Sequence, residues 1–456
     1  MSSAGGTGTV ALDAQARKTL GQLVASHARR QGWWPDSHDE DVEVLSVWRW
    51  VDGRPGLVDV VVESGTLSAH LVLGLRVPGD ESHFLVDDED VVVGLFEDAY
   101  GLAVAFDAMC DGELAVMLLE VVTDGRSSAV HSRPVRRDAA GSCLVFDDRV
   151  MLTSFSTPRQ VPDPAIKLIV DLDEAGFNHI PAPLGLWRRD GMELGFAQEV
   201  LVGASVGWAL ALTSLRDLYA SGCRPEDAGG DFASEARALG TMTARMHLAL
   251  DRAYGRGHCG TAVWVDAVEA ELAMAGGGLL GRPEVVKVLA DARRLPSRCP
   301  IIRTHGDYHL GRVARTEQGW FVSELLPALL PAPGQAGEMP PGSEARPALA
   351  ARCVEEPGRM PMCSPLADVA DMLWSFRHVA TVAAEERDPL GREGLSVMGD
   401  AWQQRNRRAF LSGYLRVSGI AGLLPPDRKT VRSLAAMFEL QRAAARMAAS
   451  STLPDR

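Results

Sequence analysis

The sequence lacks an excess of positive charge, a long apolar run and any closely paired cysteines. Its formal net charge is −14, which leaves no basic surplus to neutralise the phosphates of a duplex and excludes nucleic acid as a partner. A single bound nucleotide needs only a few local cations and is not excluded. No uninterrupted apolar stretch of about 18 residues occurs, so no membrane span is expected. The opening residues 1–18 have no apolar core long enough for a secretory signal. The seven cysteines, at positions 110, 143, 223, 259, 299, 353 and 363, are odd in number and form no CxxC pair. That pattern indicates neither a disulfide framework nor a zinc site, and it fits a reducing cytoplasm.

What is present is the balance of a globular protein, with 46% hydrophobic and 23% charged residues. At 456 residues the chain exceeds a typical single core and points to two or three domains. The first half reads mainly as strands. Residues 57–62 are β-branched and apolar, and residues 68–75 follow after a turn at Gly65. Residues 115–120 are expected to form a further strand. Residues 142–146 and 150–152, joined by Asp147-Asp148, read as a hairpin. From about residue 205 the periods become helical, most clearly over 233–250 and 431–449. Strands first and helices later imply an α+β chain. Residues 327–361, rich in Pro, Gly and Ala, read as a loop insertion.

The most informative segment is Ile301-Ile302-Arg303-Thr304-His305-Gly306-Asp307-Tyr308-His309-Leu310-Gly311. An apolar lead-in, then His-Gly-Asp, then a partner five positions on resembles the catalytic loop of aminoglycoside-phosphotransferase-like kinases. In such a loop the aspartate accepts a hydroxyl proton while a neighbouring amide or carboxylate helps hold magnesium. Taken alone, His-Gly-Asp is better explained by an aspartate capping a turn.

More of the chain carries the resemblance. Residues 304–311 look like the corresponding loop of actinobacterial maltokinases, and residues 364–376 resemble the helix that follows it. Trp402, Arg407, Phe410, Gly413 and Tyr414 match a further helix, residues 242–250 match one before the loop, and Gln31-Gly32-Trp33-Trp34 resembles the N-terminal cap segment. The resemblance implies a bilobal protein-kinase-like fold. Its parts are a β-rich cap at 1–125, an N-lobe at 126–203, and a helical C-lobe at 204–456 with its catalytic loop at 303–312. It implies ATP and Mg2+ as cofactors and a small sugar as acceptor, phosphorylated as maltose is by a maltokinase. Asp307 is then the catalytic base. His305 and His309 belong to the same loop, His309 either orienting it or touching phosphate. Gln198, Glu199 and Val200 fall where an interlobe hinge offers backbone groups to adenine.

Four positions depart from the family pattern. Thr153 stands where a phosphate-binding lysine is expected, and Lys167 falls near that lysine's carboxylate partner. Lys167 or Arg149 could supply a relocated cation. Arg312 replaces the amide five positions after Asp307, and a guanidinium, which has no lone pair, cannot ligate magnesium but can contact phosphate. Glu324 stands nearest the expected metal-binding aspartate. The sugar side is also altered, with Glu439, Arg442 and Arg446 as the polar candidates on the last helix. Beside a sugar kinase, two readings remain: a catalytically impaired binding protein on the same scaffold, and an aminosugar or aminoglycoside phosphotransferase.

Overall fold

A computed structural model of the chain describes residues 8–10, 12–35, 42–79, 90–275, 278–295, 298–323, 362–391 and 394–451. The expected insertion at 327–361 and Glu324 lie outside the described residues. The chain divides into two units, one holding the residues up to Val170 with Pro181–Val202, the other Asp171–Ile180 with the described residues from Gly203 onward.

In the first unit the apolar run at 57–62 forms the centre of an antiparallel sheet. Its strands are β1 (Gly8–Thr9), β2 (Glu43–Val51), β3 (Gly56–Ser64), β4 (Leu67–Arg76), β5 (Val92–Asp98) and β6 (Gly101–Asp107), in the order β1-β2-β3-β4-β6-β5. Burial on both faces explains why β3 reads as continuous rather than alternating apolar sequence. Helix α1 (Ala14–Arg30), capped by Asp13, covers one face through Leu20, Val24 and Ala28, with Trp34 in the same core.

A second antiparallel sheet comprises β7 (Ser132–Asp138), β8 (Gly141–Phe146), β9 (Val150–Gln160), β10 (Pro183–Arg189) and β11 (Met192–Glu199), in the order β10-β11-β9-β8-β7. The expected hairpin is β8-β9, and its turn residues Asp147 and Asp148 both take the positive φ that tight hairpin turns require. Residues 115–120, expected as a strand, are instead helix α2 (Gly112–Val122). The Asp111 side chain accepts from the N–H groups of Glu113 and Leu114, and Leu114, Leu118 and Val122 bury one helical face. The apolar run is short enough to fit either period, and the cap decides it. Helix α2 packs between residues of both sheets in one core that includes Trp50, Phe106, Phe146 and Trp187. Helix α3 (Pro164–Glu174) follows β9.

The second unit is helical. It contains α4 (Gly207–Ser221), α5 (Ala233–Tyr254), α6 (Thr261–Ala275), α7 (Pro283–Arg293), α8 (Pro365–Arg387), α9 (Leu395–Leu415) and α10 (Arg428–Ser451). The helical periods expected over 233–250 and 431–449 are α5 and α10. Two three-stranded sheets flank the 303–312 loop: β12 (Ser205–Val206) with β15 (Val313–Thr316) and β16 (Gly319–Val322), and β13 (Arg256–Cys259) with β14 (Cys299–Arg303) and β17 (Met362–Cys363). Phe376, Trp402, Phe410 and Tyr414 are fully buried and join α8 and α9 edge to face or stacked. No described helix is long and apolar enough to cross a membrane. The described cysteines are free thiols.

Candidate active site

Strand β14 delivers the chain into the loop, and Gly306 turns it with φ 87°, a conformation an L side chain rarely adopts. One buried carboxylate fixes that turn. Asp368, on the first turn of α8, accepts the backbone N–H of His305 at 2.8 Å and that of Gly306 at 2.9 Å. Its fully buried carboxylate also meets His247 Nε2 at 3.1 Å, while His247 Nδ1 meets the Tyr414 hydroxyl at 2.9 Å. Burial alone would raise the Asp368 carboxyl. The hydrogen bond from His247 and that from the Gly306 N–H outweigh it, holding the group below its ordinary range. Tyr308, wholly buried, meets the Thr243 hydroxyl at 2.9 Å, and the Leu310 N–H donates to Ser375 at 3.0 Å. The loop is thus pinned by α5, α8 and α9.

On this base the Asp307 side chain stays 22% exposed. Its Oδ2 accepts from Arg312 Nη2 at 3.1 Å, and its Oδ1 from Arg442 Nη2 at 3.2 Å. His309 caps the short turn after the loop by accepting the Gly311 N–H at Nδ1, so its proton sits on Nε2, 3.7 Å from Asp307 Oδ2. Burial would raise the Asp307 carboxyl, but the contact with His309, then the charges of Arg442 and Arg312, hold it far below the usual carboxylate range. His305 accepts the Asp307 N–H at Nδ1, 3.3 Å away, and burial pushes its own pKa down to about 4. Burial likewise lowers His309, partly opposed by Asp307. Both histidines are therefore neutral at pH 7, His305 as a positioning residue and His309 as a donor facing the carboxylate.

The structure brings together Asp307, His305, His309, Arg312 and Arg442. Glu439 does not join them, because Arg407 grips it with two bonds of 2.7 and 2.8 Å. Arg446 lies on α10, but its side chain is outside the described residues. In the first unit Thr153 is buried in β9 with its hydroxyl 3.7 Å from Cys143 Sγ. Lys167 is half-buried on α3 and Gln198 is buried in β11. The N–H of Glu199 donates to the Ala182 carbonyl and that of Val200 to the Arg149 carbonyl, so these two donors are spent within the fold.

Asp368 is the functional residue that the sequence reading quoted but did not single out. Two acids, Asp368 and Asp371, among apolar helix positions were the available signal, since such groups need buried partners.

Magnesium, which a kinase-like fold implies, finds a poor donor set among the described residues. Arg312 offers no lone pair, both Asp307 oxygens carry guanidinium N–H groups, and no cluster of three His, Cys, Asp or Glu side chains occurs.

No family model matches the sequence. A glucosamine kinase from Streptacidiphilus jiangxiensis is 30% identical over 217 residues, which is 44% of this chain and 48% of that protein. The match spans about half the length of that curated relative. Among solved structures, a glucosamine kinase in complex with glucosamine, ADP and inorganic phosphate superposes with a TM-score of 0.59 at 19% identity, covering 95% of this chain and 99% of that one. A second crystal form gives 0.58 at 20% identity over 96% and 99%. The class is therefore that of an α+β, kinase-like fold, shared over nearly its whole length with glucosamine kinases.

Proposed function

We propose that the protein is an ATP-dependent phosphotransferase acting on a sugar hydroxyl. The observation that carries this reading is the Asp307 carboxylate, held partly open on a loop whose backbone is pinned by the buried Asp368. The likeness in fold and sequence to glucosamine kinases supports it, and supports ATP as the phosphoryl donor. An aminosugar such as glucosamine is the first acceptor to test, because the relatives found by sequence and by fold carry that name. Maltose, implied by the loop resemblance, is the second. The cytoplasm, where ATP is abundant, is the compartment this chemistry requires.

In the reaction an acceptor hydroxyl lies against Asp307. Its oxygen bonds to the terminal phosphorus as the bridging P–O bond breaks, ADP departs with the electron pair, and Asp307 receives the proton. His309 steadies the carboxylate through Nε2, and His305 holds the Asp307 backbone. Glu324, a carboxylate, has the chemistry to hold a magnesium ion, which would neutralise phosphate charge.

A second reading, an impaired kinase that binds without turnover, is favoured by one observation: Arg312 and Arg442 already occupy both oxygens of the base. Sugar-dependent ADP release, measured over glucosamine, maltose and glucose, separates the two. The kinase reading expects release with at least one sugar and a loss of about 100-fold or more in Asp307→Asn. No sugar-dependent release would leave the second reading standing, and equal rates in the variant would remove Asp307 from the mechanism.

A further inference from the structure

Asp307 is met by more guanidinium than one base needs. Arg442 reaches it from α10 and is itself fixed from two sides. Its Nε lies 3.7 Å from Asp371 Oδ1, and its guanidinium carbon stands 5.4 Å from the centroid of the Trp374 ring. The side chain is 10% exposed, yet Nη1 is buried with no hydrogen-bond partner among the described residues. A buried guanidinium N–H without an acceptor is costly and calls for a reason. Meanwhile the positions that neutralise phosphate in kinases are altered. Thr153 is turned onto Cys143, and Arg312, which the resemblance sets where a magnesium-ligating amide is expected, is buried against Asp307.

We propose that Arg312 and Arg442 form a phosphoryl-binding site that receives the terminal phosphate of the nucleotide and supplies charge compensation that loop-bound magnesium supplies elsewhere. The inference deepens the kinase reading above and rests on it. Guanidinium groups suit the task, since planar paired N–H donors match phosphate oxygens.

The two arginines then serve both halves of the reaction. Without phosphate they hold Asp307 as an ion pair and suppress its basicity. When a phosphoryl group arrives, its oxygens compete for the same N–H groups and the carboxylate is released to take the hydroxyl proton. The acceptor oxygen–phosphorus bond forms, the bridging bond to ADP breaks, and the transferred group leaves the arginines as the sugar phosphate. The base is unmasked only when there is a phosphoryl group to transfer, which disfavours idle proton transfer.

The test uses the full chain in EDTA and in magnesium, with tripolyphosphate, ATP and ADP as probes in thermal-shift and calorimetric titrations. Wild type is expected to bind tripolyphosphate and ATP in EDTA. Arg442→Gln should weaken both by about tenfold or more, leave ADP unchanged because ADP lacks the terminal group, and regain part of the loss as Arg442→Lys. A wild type that answers tripolyphosphate and ATP only with magnesium overturns the proposal, whatever the variants do. So does an Arg442→Gln protein that binds ATP as wild type does. Tight magnesium-free binding without transfer to any sugar would instead sink the kinase reading and leave this site standing.

Discussion

At the scale of single residues, the site depends on one carboxylate that never meets substrate. Asp368 satisfies two part-buried backbone N–H groups of the 303–312 loop and one buried histidine nitrogen. Removing it leaves one buried and two part-buried donors without their acceptor, so Asp368→Ala is expected to cost about 3 kcal/mol of unfolding free energy, read from urea titrations. A loss below about 1 kcal/mol would mean that the loop is held by something else. Asp368→Asn keeps one acceptor oxygen and should lose less. The sequence exposed the loop itself well: His305, Asp307, His309 and Arg312 are local in the chain, and their spacing is their chemistry. Arg442 was visible only as a polar residue among alanines, because its partner lies 135 residues away. Glu439 looked equally suited to a substrate. Nothing in the sequence announces that Arg407, one helix earlier, claims it.

At the scale of elements, the loop's foundation is the crossing of α5 and α9, where two backbones touch. A Cβ placed on Gly240 would lie 2.1 Å from the Phe410 carbonyl oxygen, and one on Gly413 would lie 2.0 Å from that of Arg237. Each glycine faces the other helix's main chain, so neither clash can be relieved by a rotamer change. Gly240→Ala or Gly413→Ala must push the helices apart, and the expected cost is about 2 kcal/mol or more. Helix α5 also carries Thr243 and His247, which hold Tyr308 and Asp368. Transfer activity should therefore fall along with the melting temperature. An alanine variant with unchanged melting temperature would disprove the close crossing. Long helices such as α5 and α10 were legible because their periods run over many turns. Helix α2 was not, since its run of valine, leucine and methionine fits a strand equally well. A capping aspartate and burial between two sheets settle it, and tertiary context of that kind cannot be read from a short window.

At the scale of the whole molecule, each unit carries a histidine that burial keeps from protonating, and this sets how the protein meets acid. His27 in the first unit is lowered to about 4 by burial and by the charges of Arg30 and Arg137. His305 in the second is lowered to about 4, chiefly by burial. An unfolded histidine titrates near 6.5. Between pH 6.5 and 4 the unfolded chain therefore binds protons that the folded chain refuses, and stability falls as pH falls. Asp107, whose carboxyl burial pushes upward, opposes this trend in the first unit, because its folded form takes a proton first. Asp307 and Asp368, both held below the usual range, add their own loss only once pH drops through about 4 and lower, where the unfolded carboxyls protonate ahead of the folded ones. The urea midpoint should thus be lower at pH 5 than at pH 7.5. His27→Gln and His305→Gln should each flatten the dependence, with the double variant flattest. A midpoint that stays level from pH 7.5 to 5, or slopes unchanged in both variants, would show that these imidazoles reach solvent protons in the folded state.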